Sequence, residues 1–189
     1  MTVPPTTVPV LETPRLVLRP FHASDAIPLH EAFGDPEAMR FWNVAPSSDP
    51  AATAKNLDWL AKYSPYAHAA WAVAAKADGR FLGMVNYHHR EARDRRLEIG
   101  YIILRRVWRQ GIAREAVSGL LRHCFSTLAC HRVEALIMPE NTASRRLAES
   151  LGFRSEGGPL RDRWCVAGVY RSVLVYGLLA DEWQPIADS

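Results

Sequence analysis

Lysine is nearly missing from this chain. Lys55, Lys62 and Lys76 stand among 23 basic residues, and the rest are arginine. A codon bias accounts for such a total, but arginine is also the better planar partner for phosphate and carboxylate. Cysteine is scarce: Cys124, Cys130 and Cys165 form an odd set without metal-ligand spacing. They read as free thiols in a reducing compartment, so a cytoplasmic location and no metal are expected. Long apolar runs are absent. The longest, Val173–Ala180, has about eight residues against the ~20 of a membrane-spanning helix, so no membrane partner is expected. No basic segment followed by an apolar one opens the chain, so no secretory signal is expected. Repeats and low-complexity stretches are lacking too. With 48% hydrophobic and 23% charged residues, disorder, collagen and coiled coil are excluded. A length of 189 residues suggests one domain that buries roughly 70% of its unfolded surface.

What is present is unevenly placed. The net charge is only +3, yet eight arginines lie between Arg90 and Arg114, against Glu91, Asp94 and Glu98. A local positive region in a balanced protein suggests an anionic ligand rather than a surface that coats nucleic acid.

Residues 1–9 are proline-rich and read as an extended tail, 10–183 as the domain and 184–189 as a short second tail. Arg15–Phe21 alternates as a half-buried strand. Helices are expected from Ser24 to Phe33 and from Pro50 to Tyr63. Asp78-Gly79 between Ala70–Ala75 and Phe81–His88 is a hairpin signal. Leu97–Leu104 is the next strand. Arg109–Leu128 carries the most regular helical stripe, from Ala113 through Val117, Leu120 and Leu121 to Leu128. Arg132–Ile137 is a strand, and Asn141–Leu151 a helix capped by Asn141 and closed by Gly152. Phe153–Glu156, Arg163–Val169 and Ser172–Leu179 close the chain as strands. The order gives a mixed α/β domain on one twisted sheet.

The sharpest feature is the joint Trp108-Arg109-Gln110-Gly111-Ile112-Ala113-Arg114 between strand and long helix. A helix start offers unpaired N–H groups and a positive dipole end, which bind phosphate. Gly111 lets an anion approach the backbone, and Arg109 and Arg114 add charge. It is neither GxGxxG nor a Walker loop. The second feature is Asn141-Thr142-Ala143-Ser144, where Ser144 lies one turn into a helix on the face of its cap.

This succession of WRQGIAREA, a long helix, a strand and ENTASRRLAESLGF resembles the GNAT superfamily of acetyl-CoA-dependent N-acetyltransferases. LETPRLVLRP at Leu11–Pro20, EIGY at Glu98–Tyr101, and the closing segment from Glu156 to Trp183 resemble the branch acting on ribosomal-protein N-termini, the RimJ/RimL type. The resemblance covers about Val10 to Trp183. It implies an α/β (α+β mixed sheet) fold: one GNAT-like domain, a mostly antiparallel twisted sheet of about seven strands with splayed middle strands, and about four helices. It implies acetyl-CoA as cosubstrate, an amine acceptor (a protein N-terminus or a small amine), and a possible homodimer.

The resemblance also implies a site. Backbone N–H groups of Arg109, Gln110, Gly111, Ile112, Ala113 and Arg114 would hold the CoA pyrophosphate. Ile102, Ile103 and Leu104 would pair with the pantetheine arm as an added strand does. Asn141 would touch that arm, Ser144 would lie near the sulfur, and Arg145 or Arg146 would reach the adenosine phosphates. Phe41, Trp42 and Asn43 would help shape the acceptor cleft. Trp108 stands where the superfamily pattern has Gln or Arg, though tryptophan is usual in this branch. Ala148 stands where many members have a tyrosine acid, which leaves Ser144 as the proposed acid.

Transfer of acetyl to an amine needs the reactants held together, the carbonyl polarised, a proton removed from nitrogen and one returned to sulfur. Glu98 is the first candidate base, with partial burial expected to raise its pKa. His88 and His89 end one strand and should point to opposite faces, so at most one enters the site. The cysteines show no activating geometry, so direct transfer is expected rather than an acyl-cysteine. An acyl-CoA sensor without turnover is the alternative of another class. A small amine, amino acid or antibiotic is the alternative acceptor.

Overall fold

β3 (Ala69–Ala75) is buried at six of its seven positions in the structure, a computed structural model that describes residues 7–64 and 66–185. Its run of alanines, Trp71 and Val73 suits a strand covered on both faces. Around it lie β1 (Leu11–Glu12), β2 (Leu16–Arg19), β4 (Phe81–Glu91), β5 (Arg96–Ile103), β6 (Arg132–Ile137), β7 (Arg154–Val166) and β8 (Val169–Leu179). Among the described residues they form one sheet in the order β1-β2-β3-β4-β5-β6-β8-β7. Only β5 and β6 run parallel. The helices are α1 (Ala26–Phe33), α2 (Pro36–Met39), α3 (Pro50–Leu60), α4 (Ile112–Arg122) and α5 (Thr142–Ser150).

The mixed α/β fold expected from the sequence is the fold observed, with two short elements added and two expected strands merged. The added elements are the two-residue β1 and the single turn α2, too short to leave a hydrophobic period. Pro36 opens α2, and the Asp35 side chain accepts from Glu37 N–H at 2.9 Å. The two short strands expected near Phe153 and Arg163 are one long strand, β7. Its pairing with β8 shifts register three times, which hides a continuous period. Residues 1–6 and 186–189 of the expected tails lie outside the described residues. Val8 is buried, and the Trp71 indole donates to Pro9 O at 2.7 Å.

Two departures from regularity position the site. β5 and β6 pair only at Arg96–Glu98 with Arg132–Glu134. Beyond Glu98 they part, while β5 stays paired with β4 and β6 with β8. The middle of the sheet thus has two facing, unpaired strand edges. The second departure is the start of the long helix. Arg109 and Gly111 both have left-handed φ, at 61° and 78°, so the helix begins at Ile112 rather than at Arg109. At its far end a π-turn, His123–Thr127, replaces the last α-helical turns, closed by Leu128 N–H to His123 O at 3.0 Å.

Candidate active site

α4 starts without a side-chain cap, because its N-cap residue is Gly111. The first-turn N–H groups of Ile112, Ala113 and Arg114 are therefore left for an anion. A Cβ at Gly111 would add left-handed strain and lie 3.2 Å from Arg15 Nη2. Arg15 holds this corner. Its backbone N–H and Nε donate to Glu115 at 2.7 and 2.6 Å, and Nη1 donates to Gln110 O at 3.1 Å. The Thr13 hydroxyl donates to the same carboxylate at 2.7 Å. Arg109, Gly111, Ile112, Ala113 and Arg114 line one cleft. Gln110 does not; its amide turns back to Arg106 O.

That cleft holds about 1470 Å³. Pockets for drug-sized molecules run to roughly 1,000 Å³, so it has room for a long cosubstrate beside an acceptor. It runs along the parted strands. Leu104 N–H donates to Leu82 O at 2.9 Å, so Leu104 is committed to β4 and is fully buried. Antiparallel alternation then turns Ile102 toward β4, and Tyr101 and Ile103 toward the gap. The Trp108 indole donates to Ile103 O at 2.7 Å. Of the three strand residues expected to meet the pantetheine arm, Ile102 and Ile103 line the cleft, the backbone of Ile103 faces the gap, and Leu104 does neither. Tyr101, not foreseen for this role, joins Ile103.

Glu98 is the last residue of β5 still paired with β6. His88 lies directly opposite on β4, and its Nε2 is 3.1 Å from Glu98 Oε1. His89 Nδ1 is 3.3 Å from Glu98 Oε2. The expectation that the two histidines face apart is wrong. His89 has a φ of 50°, and the β4–β5 register shifts between His88 and Glu91, so the bulge turns both rings to one carboxylate. The expected rise in the Glu98 pKa is also reversed. Burial pushes it up, but hydrogen bonds and charge from His88, then His89, bring it below the ordinary carboxylate range.

Ser144 lies across the gap. Its N–H donates to Asn141 Oδ1 at 3.1 Å, so Asn141 is the cap of α5 and lines the cleft. The Ser144 hydroxyl is 2.7 Å from the Tyr101 hydroxyl. Burial raises the Tyr101 pKa, and the bond to Ser144 opposes it. Residues 98 and 101 of one strand point to opposite faces. The carboxylate and the hydroxyl pair therefore bracket the gap from two sides. Arg145 is directed elsewhere, donating to Pro139 O and to the Tyr176 hydroxyl, both at 3.2 Å. Phe41, Trp42, Asn43 and His88 all line the cleft. Cys124 and Cys130 are buried, and burial raises both thiols, so neither is a ready thiolate.

Residues 15–154 match the family model described as an acetyltransferase (GNAT) domain. The chain belongs to the GNAT family. It is 32% identical over 174 residues to the uncharacterized N-acetyltransferase p20 of Bacillus licheniformis, covering 92% of this chain and 97% of that one. It is 31% identical over 87 residues to the [ribosomal protein uS5]-alanine N-acetyltransferase of Escherichia coli, covering 46% and 44%. A crystal structure of the Vibrio cholerae spermidine N-acetyltransferase, solved with CoA and spermine, shares the fold. Its TM-score is 0.76, at 22% identity over 88% of this chain and 96% of that one. The GNAT fold serves N-acetyltransfer and uses acetyl-CoA. The uncapped helix start, Arg109 and Arg114 suit its phosphates, and the unpaired edge of β5 suits its amide-bearing arm. No helix among the described residues is long and apolar enough to cross a membrane.

Proposed function

We propose that this enzyme acetylates the α-amine at the N-terminus of a protein or peptide, by direct attack on the thioester in a ternary complex. The observation that carries the mechanism is the bracketed gap, with a carboxylate on one face of β5 and a hydroxyl pair on the other. In this reading the N–H groups of Ile112, Ala113 and Arg114 bind the pyrophosphate. Backbone groups of Tyr101 and Ile103 align the arm, and a β5 N–H polarises the carbonyl. The amine nitrogen forms its bond to the acyl carbon as the C–S bond breaks. Glu98, held by His88, accepts the proton lost from nitrogen. Sulfur leaves as the thiolate and takes its proton from solvent relayed through the Ser144 hydroxyl, while Glu98 releases its proton to solvent, and Tyr101 acts as a positioning residue that orients the Ser144 hydroxyl.

The acceptor assignment rests on the wall opposite the loop. Phe41, Trp42 and Trp59 supply apolar surface for a peptide. Glu37, Glu91, Glu98 and Glu140 share the cleft with Arg40, Arg90 and Arg163, so it lacks the unopposed acidic wall that a polyamine needs. An α-amine, with a pKa near 8, is already about a tenth neutral at pH 7, whereas a lysine amine near 10.4 is not. The similarity to a ribosomal-protein acetyltransferase points the same way. The test is thiol release from acetyl-CoA with free peptides, N-terminally blocked lysine peptides and spermidine. Release with free N-termini alone is expected. Release with spermidine or blocked lysine peptides alone overturns the assignment.

A further inference from the structure

We propose that His88, His89 and Glu98 form a binding site for a divalent transition-metal cation of the zinc class, and that the cation and the acceptor amine exclude one another. Cation binding stands on geometry alone; the exclusion rests on the reading of Glu98 as the proton acceptor.

The donor set is two imidazoles and one carboxylate, whose ligand atoms all lie within 4.8 Å of one another. Zinc bonds to nitrogen and oxygen of about 2.0–2.1 Å place tetrahedral ligands about 3.4 Å apart. His88 Nε2 lies 3.1 Å from Oε1 and His89 Nδ1 3.3 Å from Oε2, one nitrogen beside each carboxylate oxygen, so the carboxylate must turn to place one oxygen at that distance from both rings. The His89 side chain is 70% exposed, and its ring meets His88 edge-on at 4.7 Å, so a small rotation closes the third edge.

Two further observations bear on how the rings are held. His89 reaches the carboxylate only because its backbone has a left-handed φ of 50°, a conformation that strains a residue with a Cβ. The Asn86 amide is 3.2 Å from His88 Nδ1, while its Oδ1 is buried without a partner. Ligation through Nε2 requires that amide turned over, so that Oδ1 accepts from Nδ1–H and the NH2 group takes the buried position without a partner. An acceptor on Nδ1–H is the outer support that ligating histidines commonly have. Gly100 makes room for it, since a Cβ there would lie 2.8 Å from Asn86 Oδ1. The three ligands leave a fourth position open toward the cleft, where the amine would arrive.

The test titrates the intact protein with cobalt(II) chloride, followed by visible absorption, and with zinc chloride, followed by calorimetry. One equivalent bound, with the absorption of a four-coordinate cobalt site, is expected. H88N and H89N should each weaken binding at least about tenfold. C165S, which removes the exposed thiol, should leave it unchanged. Absence of saturable binding, or binding kept in the H88N/H89N double variant and lost in C165S, overturns the site. In turnover assays zinc should raise KM for the acceptor, and H89N should remove that effect. A KM unchanged at saturating zinc overturns the exclusion while the cobalt spectrum still reports the site. That spectrum needs no turnover, so failure of the acetyltransfer reading is distinguishable from failure of the metal site.

Discussion

Glu98 and Ser144 sit on opposite sides of one strand, and that arrangement makes separate predictions for each. Glu98→Gln should lower kcat/KM about 100-fold, since a positioned base contributes roughly 10²–10⁴. CoA affinity measured by calorimetry should stay within about twofold, because the loop is untouched. Tyr101→Phe should lower kcat about tenfold with little change in KM. Added to Ser144→Ala it should cost nothing more, since the two hydroxyls act as one unit. A Tyr101→Phe enzyme with wild-type kcat removes that role. The placement of Glu98 and Ser144 at one cleft was readable from the sequence, through the resemblance of EIGY and of the segment after Asn141. Tyr101 was not, because its partner lies 43 residues away and only the fold brings them together. The convergence of His88 and His89 was hidden for another reason. Strand alternation is a sound rule, and one left-handed residue breaks it without a sequence signal.

The long helix makes two predictions, one at each end. Gly111→Val places a β-branched residue at a φ of 78° beside Arg15. It should raise the Kd for CoA at least about tenfold while circular dichroism stays unchanged. At the other end, His123 is buried, its ring meets Trp71 at 5.6 Å, and its Nε2 has no partner. Burial, then the charge of Arg90, lowers its pKa from 6.5 to about 4. The unfolded chain therefore binds this proton at a higher pH than the folded one. Stability is fully present above pH 6.5 and falls as the pH drops toward 4, by roughly 3 kcal/mol at 1.36 kcal/mol per unit. His123→Phe should flatten the urea-unfolding free energy across that window. The apolar stripe made this helix legible in the sequence, but not its ends. The stripe continues through Cys124 into the π-turn, and the glycine joint reads equally well as a helix one turn longer.

The sheet as a whole is incomplete between β5 and β6, and a cosubstrate that fills the gap should stabilise the fold. Binding at 100 times Kd adds about 2.7 kcal/mol. For a domain of this length that raises the melting temperature by roughly 5–10 °C. Pantetheine without the nucleotide, lacking phosphates for Ile112–Arg114, should give a clearly smaller shift at equal concentration. The split was legible only through the family resemblance, since the periodicity of each strand is the same whether or not its neighbour is paired. The most direct measurement uses a peptide with a free N-terminus and an internal lysine. After incubation with acetyl-CoA and the enzyme, fragmentation mass spectrometry locates the acetyl group. Acetyl on the α-amine, with the lysine unmodified, is the predicted result. Acetyl on the lysine side chain, or an unmodified peptide beside active turnover of a small amine, would contradict it.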